Sequence, residues 1–162
     1  MPTINRLIFI HGLEGTSQGV KARLLRGIFP DILTPDVRGS LPERMATLQA
    51  IVGETEGWTM IGSSFGGLMA ALFTCQNPRQ VEKLILLAPA LIWPDFAADP
   101  PGPVDVPTLI YHGTRDQIIP LEPVRTLARQ AFSNLTFNAV DDDHGLYKTV
   151  HDIDWHKLLK RE

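Results

Sequence analysis

The chain has 162 residues, 44% hydrophobic and 20% charged, with a net charge of −3, an ordinary balance for one soluble domain with a full-sized core. It carries no basic run, which argues against nucleic acid as a partner, and no apolar stretch approaches the roughly 20 residues needed to span a bilayer. The N-terminal Met-Pro-Thr-Ile-Asn-Arg leads straight into a strand-like run and leaves no room for a signal peptide, and the lone Cys75 permits no internal disulfide, so a reducing cytoplasm is the expected setting.

Leu7–Ile10 is a short continuous apolar run, as expected of a strand buried on both faces, and His11-Gly12 ends it. After a polar loop, Val20–Phe29 reads as a helix with Val20, Leu24 and Ile28 on one face, closed by Pro30. Asp31–Pro35 is a weak strand candidate. Pro42–Glu54 reads as a helix with proline at its first position and Met45, Leu48 and Val52 on one stripe. Trp58–Ile61 is a strand. Phe65–Gln76 is apolar almost all round, which predicts a central, covered helix stopped by Asn77-Pro78.

Val81–Ala88 holds the most hydrophobic strand, Leu84-Ile85-Leu86-Leu87. The segment 89–106, rich in proline, reads as irregular loop. Pro107–Tyr111 is another buried strand, ended by His112-Gly113. Leu121–Phe132 is a helix with Leu121, Val124, Leu127, Ala128 and Ala131 inward. Leu135–Val140 is the last strand and Leu146–Leu159 a final helix. Strands alternating with helices predict a three-layer α/β sandwich: a mostly parallel sheet of about six strands with helices on both faces. No repeat or linker divides the chain, so residues 1–162 are expected to form one domain.

In such sheets ligands sit beyond the carboxyl ends of the strands. His11, Ser64, His112, Asp116 and His144 all fall just after a predicted strand. Ser64 lies in Gly62-Ser63-Ser64-Phe65-Gly66, a Gly-x-Ser-x-Gly motif between strand and helix, the setting of a nucleophile elbow. The motif arises by chance in roughly one such chain in twenty, so its context must carry it. A turn this tight leaves no space for a side chain at 62 or 66. As a mere helix N-cap, Ser64 would need neither glycine.

Serine needs a base, and histidine serves near neutral pH. The base needs an acid that fixes its tautomer. Ser64, Asp116 and His144 meet both the chain order of this fold and the strand ends. Asp141, Asp142 and Asp143 compete for the acid role, or make a solvated turn. His11 and His112 are rival bases, although a histidine before a glycine at a strand end more often makes a structural hydrogen bond. His151 and His156 read as surface residues of the last helix. The five histidines lack the paired spacing of a zinc site. Gly12-Leu13-Glu14-Gly15 lacks the Gly-Lys-Ser/Thr of a phosphate loop. No metal and no cofactor is expected.

Taken together, the His11-Gly12 turn, the Gly62–Gly66 elbow, the segment from His112 through Asp116 to Pro120 and the Asp143-His144-Gly145 turn resemble the α/β-hydrolases over nearly the whole chain. The resemblance implies a minimal α/β-hydrolase fold with Ser64 as nucleophile, His144 as base and Asp116 as the orienting acid. It also implies an oxyanion hole made by the Leu13 and Phe65 amides. The chain departs from the fuller pattern by lacking two leading strands and by reducing the cap domain to the 89–106 loop. It is therefore most similar to short, capless bacterial serine esterases of the YqiA-like kind. His11, Gly12, Trp93 and Phe96 are expected at the substrate pocket, the last two as walls for an acyl group or else as ordinary packing for their loop. The implied partner is a small-molecule ester or thioester, without cofactor. A binding module that keeps the fold is the alternative from another class. The apolar loop 91–96 suits a homo-oligomer contact as well as a substrate.

Overall fold

A computed structural model describes residues 6–159. In chain order the first half forms β1 (Arg6–Ile10), α1 (Val20–Ile28), α2 (Leu41–Val52), β2 (Trp58–Ser63) and α3 (Phe65–Gln76). A 3-10 turn at Pro78–Gln80 leads into β3 (Val81–Leu87), then α4 (Pro94–Ala97), β4 (Thr108–Gly113), α5 (Leu121–Ala131), β5 (Leu135–Val140), α6 (Tyr147–Asp152) and α7 (Trp155–Leu158).

The strands form one sheet in the order β1-β2-β3-β4-β5, every neighbouring pair parallel. Parallel pairing requires a crossover between strands, and helices supply most of them. The sheet is apolar on both faces for that reason. On one face Ile8, Met60, Leu84 and Ile110 pack with Leu48 of α2, Leu68 of α3 and Val124 of α5. On the other, Leu7, Phe9, Ile61 and Ile85 pack with Leu25 of α1, Val150 of α6 and Trp155 of α7. α3 is buried from Phe65 to Thr74, as its uniform hydrophobicity requires. The result is the three-layer sandwich expected from the alternation of elements.

Several details depart from the sequence reading. Five strands form among the described residues rather than six. Asp31–Pro35 meets the sheet only at Leu33, which bridges to Ile8. There Leu33 N–H donates to Leu7 O, and Phe9 N–H to Leu33 O, each at 2.9 Å. The next rung would need an N–H from residue 35, and Pro35 has none. β4 continues through His112 and Gly113, which places His112 inside the sheet, fully buried. The 89–106 loop contains one helical turn, α4, opened by Pro94.

The final helix is two helices. Leu146 turns left-handed at φ 54°, Ile153 is extended, and the Asp154 side chain caps α7 by accepting from Lys157 N–H at 3.1 Å. α1 buries Ala22 and Leu25, while Val20 at its head stays half exposed. α2 buries Leu41, Arg44, Leu48 and Val52, and Met45 only in part.

Because all five strands run the same way, the turns that follow them gather at one edge. Those turns carry the residues of chemical interest.

Candidate active site

Ser64 is the single residue between β2 and α3, with φ 56° and ψ −114°. A non-glycine residue held there stores of the order of 1–3 kcal/mol of strain. Its backbone is pinned at both ends. Ser64 N–H donates to Leu87 O at 2.9 Å, and Ser64 O accepts from Leu68 N–H at 3.1 Å and Ala90 N–H at 3.0 Å. The two flanking glycines answer different neighbours. A Cβ at Gly62 would overlap the Gly66 carbonyl and lie 2.8 Å from Gly67 Cα, so that glycine closes the turn. A Cβ at Gly66 would overlap the Ile10 carbonyl at the end of β1, so that glycine lets α3 approach the sheet.

The Ser64 side chain makes no helix-cap bond. Its Oγ lies 3.1 Å from His144 Nε2. On the other side of the ring, His144 Nδ1 lies 2.8 Å from Asp116 Oδ2. An ionised carboxylate only accepts hydrogen bonds, so Nδ1 carries the proton and Nε2 presents its lone pair to the serine hydroxyl. These residues stand 80 and 28 positions apart in the chain.

Asp116 is held by its own loop. Oδ1 accepts from the Ile118 and Ile119 amides at 2.9 and 2.8 Å, and the side chain is fully buried. His112 Nε2 lies 3.3 Å from Asp116 Oδ2 and donates to Ile119 O at 2.8 Å. That donation puts the proton on Nε2. Burial pushes the His112 pKa down, which keeps the ring neutral.

His144 is held by its neighbours. Asp142, read from sequence as part of a solvated turn, is buried. Its Oδ2 accepts from the Thr149 amide and hydroxyl at 2.9 and 2.8 Å, and its Oδ1 from the Asp143 amide at 2.8 Å. Burial alone would raise the Asp142 pKa, but these donors hold it below its usual value. Asp141 stays exposed and pairs with Arg115 at 2.9 Å. The acids at 141–143 thus build the turn and leave the contact with the imidazole to Asp116.

The Gly12–Leu13 peptide runs beside the serine: a Cβ on Gly12 would lie 3.5 Å from Ser64 Cβ. Gly12 O accepts from Gly15 N–H at 3.1 Å and from His11 Nδ1 at 2.7 Å. In a trans peptide the following N–H points the opposite way, so these bonds fix the direction of the Leu13 amide. The Phe65 amide is the first of α3 and has no partner within the helix. His11 is buried, and its Nε2 accepts from Val37 N–H at 3.0 Å, so both ring nitrogens are spent on the backbone.

Trp93 is half exposed and meets the Phe65 ring edge-on, centroids 5.2 Å apart. Phe96, grouped with it in the sequence reading, is fully buried in the core. The reason is packing: α4 turns its ring inward, so it has no surface to offer an acyl group arriving from solvent. Cys75 is no rival nucleophile, because burial pushes its thiol up to about 11.

A groove of about 730 Å³ runs past Asp116 and His144, lined also by Thr114, Ile118 and Tyr147. A smaller pocket of about 140 Å³ lies among His11, Gly12, Ser63 and Tyr147. Among the described residues no group of three or more side chains is placed to hold a metal ion, and no helix is long and apolar enough to cross a membrane.

Sequence reading passed over Arg44, a buried arginine that touches both Leu13 and Phe65. The signal was present in the spacing, since 41, 44, 48 and 52 form one helical stripe.

No family model matches the chain, and neither does any curated protein. Solved structures do. Alpha/beta hydrolase domain-containing protein 10 from mouse superposes with a TM-score of 0.76 at 16% identity, over 93% of this chain and 86% of that one. Est1E from Butyrivibrio proteoclasticus gives 0.76 at 19% identity, over 95% and 87%. A hydrolase of the alpha/beta superfamily from Xanthomonas campestris gives 0.75 at 24% identity, over 91% of each chain. At such identities the likeness is one of fold, and fold does not fix function. The chain has a minimal α/β-hydrolase fold, with five strands among the described residues.

Proposed function

We propose that this chain is a serine hydrolase that cleaves small carboxylic esters through an acyl-enzyme. The observation that carries the reading is the hydrogen-bonded chain from Ser64 Oγ through His144 to Asp116, in the tautomer a general base needs. On this reading one domain carries the whole reaction, without a separate cap, in the manner of short bacterial serine esterases.

Ser64 Oγ attacks the ester carbonyl carbon as His144 Nε2 takes the hydroxyl proton. The carbonyl oxygen becomes an oxyanion, stabilised by the Leu13 and Phe65 amides. Such a donor typically contributes ~10²–10³ in rate. The tetrahedral intermediate collapses, the alkoxide leaves with the proton from His144, and the acyl group stays on Ser64. Water, deprotonated by His144, then attacks the acyl carbon; the bond to Ser64 Oγ breaks, His144 returns the proton to that oxygen, and the acid is released. Asp116 stays ionised throughout and stabilises the imidazolium. Besides the ester and water, these steps use only side chains and amides of the chain itself. Leu13 and Trp93 are half exposed, Trp93 against the Phe65 ring next to the serine in sequence, and on this reading offer an apolar surface for the acyl group.

The test is turnover of a short nitrophenyl ester by wild type and Ser64→Ala, with a thioester of the same acyl group alongside. Ser64→Ala should lose activity by at least about 10³-fold with its fold intact. Equal turnover by the variant would refute the assignment of Ser64. A strong preference for the thioester would make the chain a thioesterase using the same residues.

A further inference from the structure

Arg44 occupies a place where an apolar side chain is expected. It shares the buried stripe of α2 with Leu41, Leu48 and Val52 and is 5% exposed. Among the described residues no carboxylate pairs with it. Its Nε donates to Gly39 O at 2.9 Å and its Nη2 to Leu13 O at 3.0 Å, while Nη1 is buried with no partner among the described residues. The guanidinium lies over the Phe65 ring, 5.3 Å from its centroid. Burial lowers its pKa, but a guanidinium stays protonated in any ordinary buffer.

A buried charge without a counter-ion is costly, and an apolar side chain of similar volume would commonly serve the core as well or better. Stability is therefore a poor reason for an arginine here. Its contacts supply a better one. Leu13 and Phe65 are the two residues whose amides the proposed reaction uses, and they come from segments that follow two different strands, β1 and β2. One guanidinium bonds the carbonyl of the first and lies over the ring of the second, and so touches both.

We propose that Arg44 is a positioning residue for the oxyanion hole: it braces the 12–15 turn against Phe65 and holds an uncompensated positive charge on that side of the site. The inference rests on the esterase reading. Negative charge appears on the substrate oxygen only after attack, so a brace and a charge beside the hole act on the transition state more than on bound ester. Lysine cannot reproduce the arrangement, because an ammonium neither bridges two carbonyls in fork geometry nor stacks flat on a ring.

The experiment compares wild type, Arg44→Met and Arg44→Lys by Tm, by kcat and KM on a short nitrophenyl ester, and by amide hydrogen exchange over residues 11–16. Arg44→Met should melt at or above the wild-type Tm, keep KM within about twofold and lose about 10- to 100-fold in kcat. Arg44→Lys should recover only part of that loss. Exchange in the turn should quicken roughly tenfold in both.

A fall in kcat at constant KM in a fully folded variant is what a merely structural arginine would not produce. Wild-type kcat in folded Arg44→Met, or unchanged exchange in the turn, overturns the proposal. If Arg44→Met does not fold, Arg44→Lys decides by the same readings. Failure of both to fold overturns it by making Arg44 a structural clamp alone. An inactive wild type would defeat the esterase reading instead, and the exchange measurement would still decide whether Arg44 braces the turn.

Discussion

Each oxygen of the Asp116 carboxylate has a separate task. Oδ1 is saturated by the Ile118 and Ile119 amides, and Oδ2 faces His144 Nδ1. Asparagine at 116 would keep its oxygen on the two amides, since its NH₂ cannot accept from them. The NH₂ would then face His144 and donate to Nδ1, forcing the proton onto Nε2, where it blocks acceptance from Ser64. Asp116→Asn should therefore keep the wild-type Tm within a few degrees while kcat on a nitrophenyl ester falls by about 10³–10⁴. A variant with near-native kcat would show that the imidazole does not depend on this carboxylate for its tautomer.

That Ser64, Asp116 and His144 come together was legible in the sequence because each follows a strand. Asp142 was less so: three aspartates in a row look solvated, and only folding reveals that Thr149 comes back to bond the middle one. For Phe96 the sequence leaves pocket wall and loop packing open, because an aromatic in a proline-rich loop carries no periodicity to say which way it faces; its burial decides for packing.

At the scale of elements, α2 links the core to the proposed oxyanion hole. Its start is a full capping box: Ser40 Oγ accepts from Glu43 N–H at 3.3 Å and Glu43 Oε1 accepts from Ser40 N–H at 3.2 Å. Ser40→Ala should lower stability by about 1 kcal/mol in urea unfolding, with KM unchanged, because the cap lies one turn before Arg44. A loss indistinguishable from zero would mean that packing alone fixes this end of the helix. Strands and long helices were readable from their apolar runs, and Phe65–Gln76 and Leu135–Val140 have the bounds expected of them. Short pieces were not. The 31–35 segment has strand composition, but Pro35 stops its ladder, and the break at Ile153–Asp154 depends on a cap that competes with a continuing apolar stripe.

At the scale of the molecule, the sheet converts sequence distance into proximity. Ser64 lies between β2 and α3, Asp116 beyond β4 and His144 beyond β5, and parallel strands bring all three to one edge. Neither residue chemistry nor any single element creates the site, so it should vanish when the fold does. Composition and alternation foretold this architecture, because a both-faces-buried parallel sheet leaves few other ways to arrange such strands. The distances inside the site, and the arginine behind it, depended on packing that no linear pattern encodes.

The most direct measurement is labelling with a fluorophosphonate, which reacts with a serine only when a base and an oxyanion hole activate it, followed by peptide mass spectrometry. Native protein should take up one equivalent at Ser64, and protein denatured by heat beforehand should take up none. Native protein that stays unlabelled, or carries the label on another residue, would contradict the account.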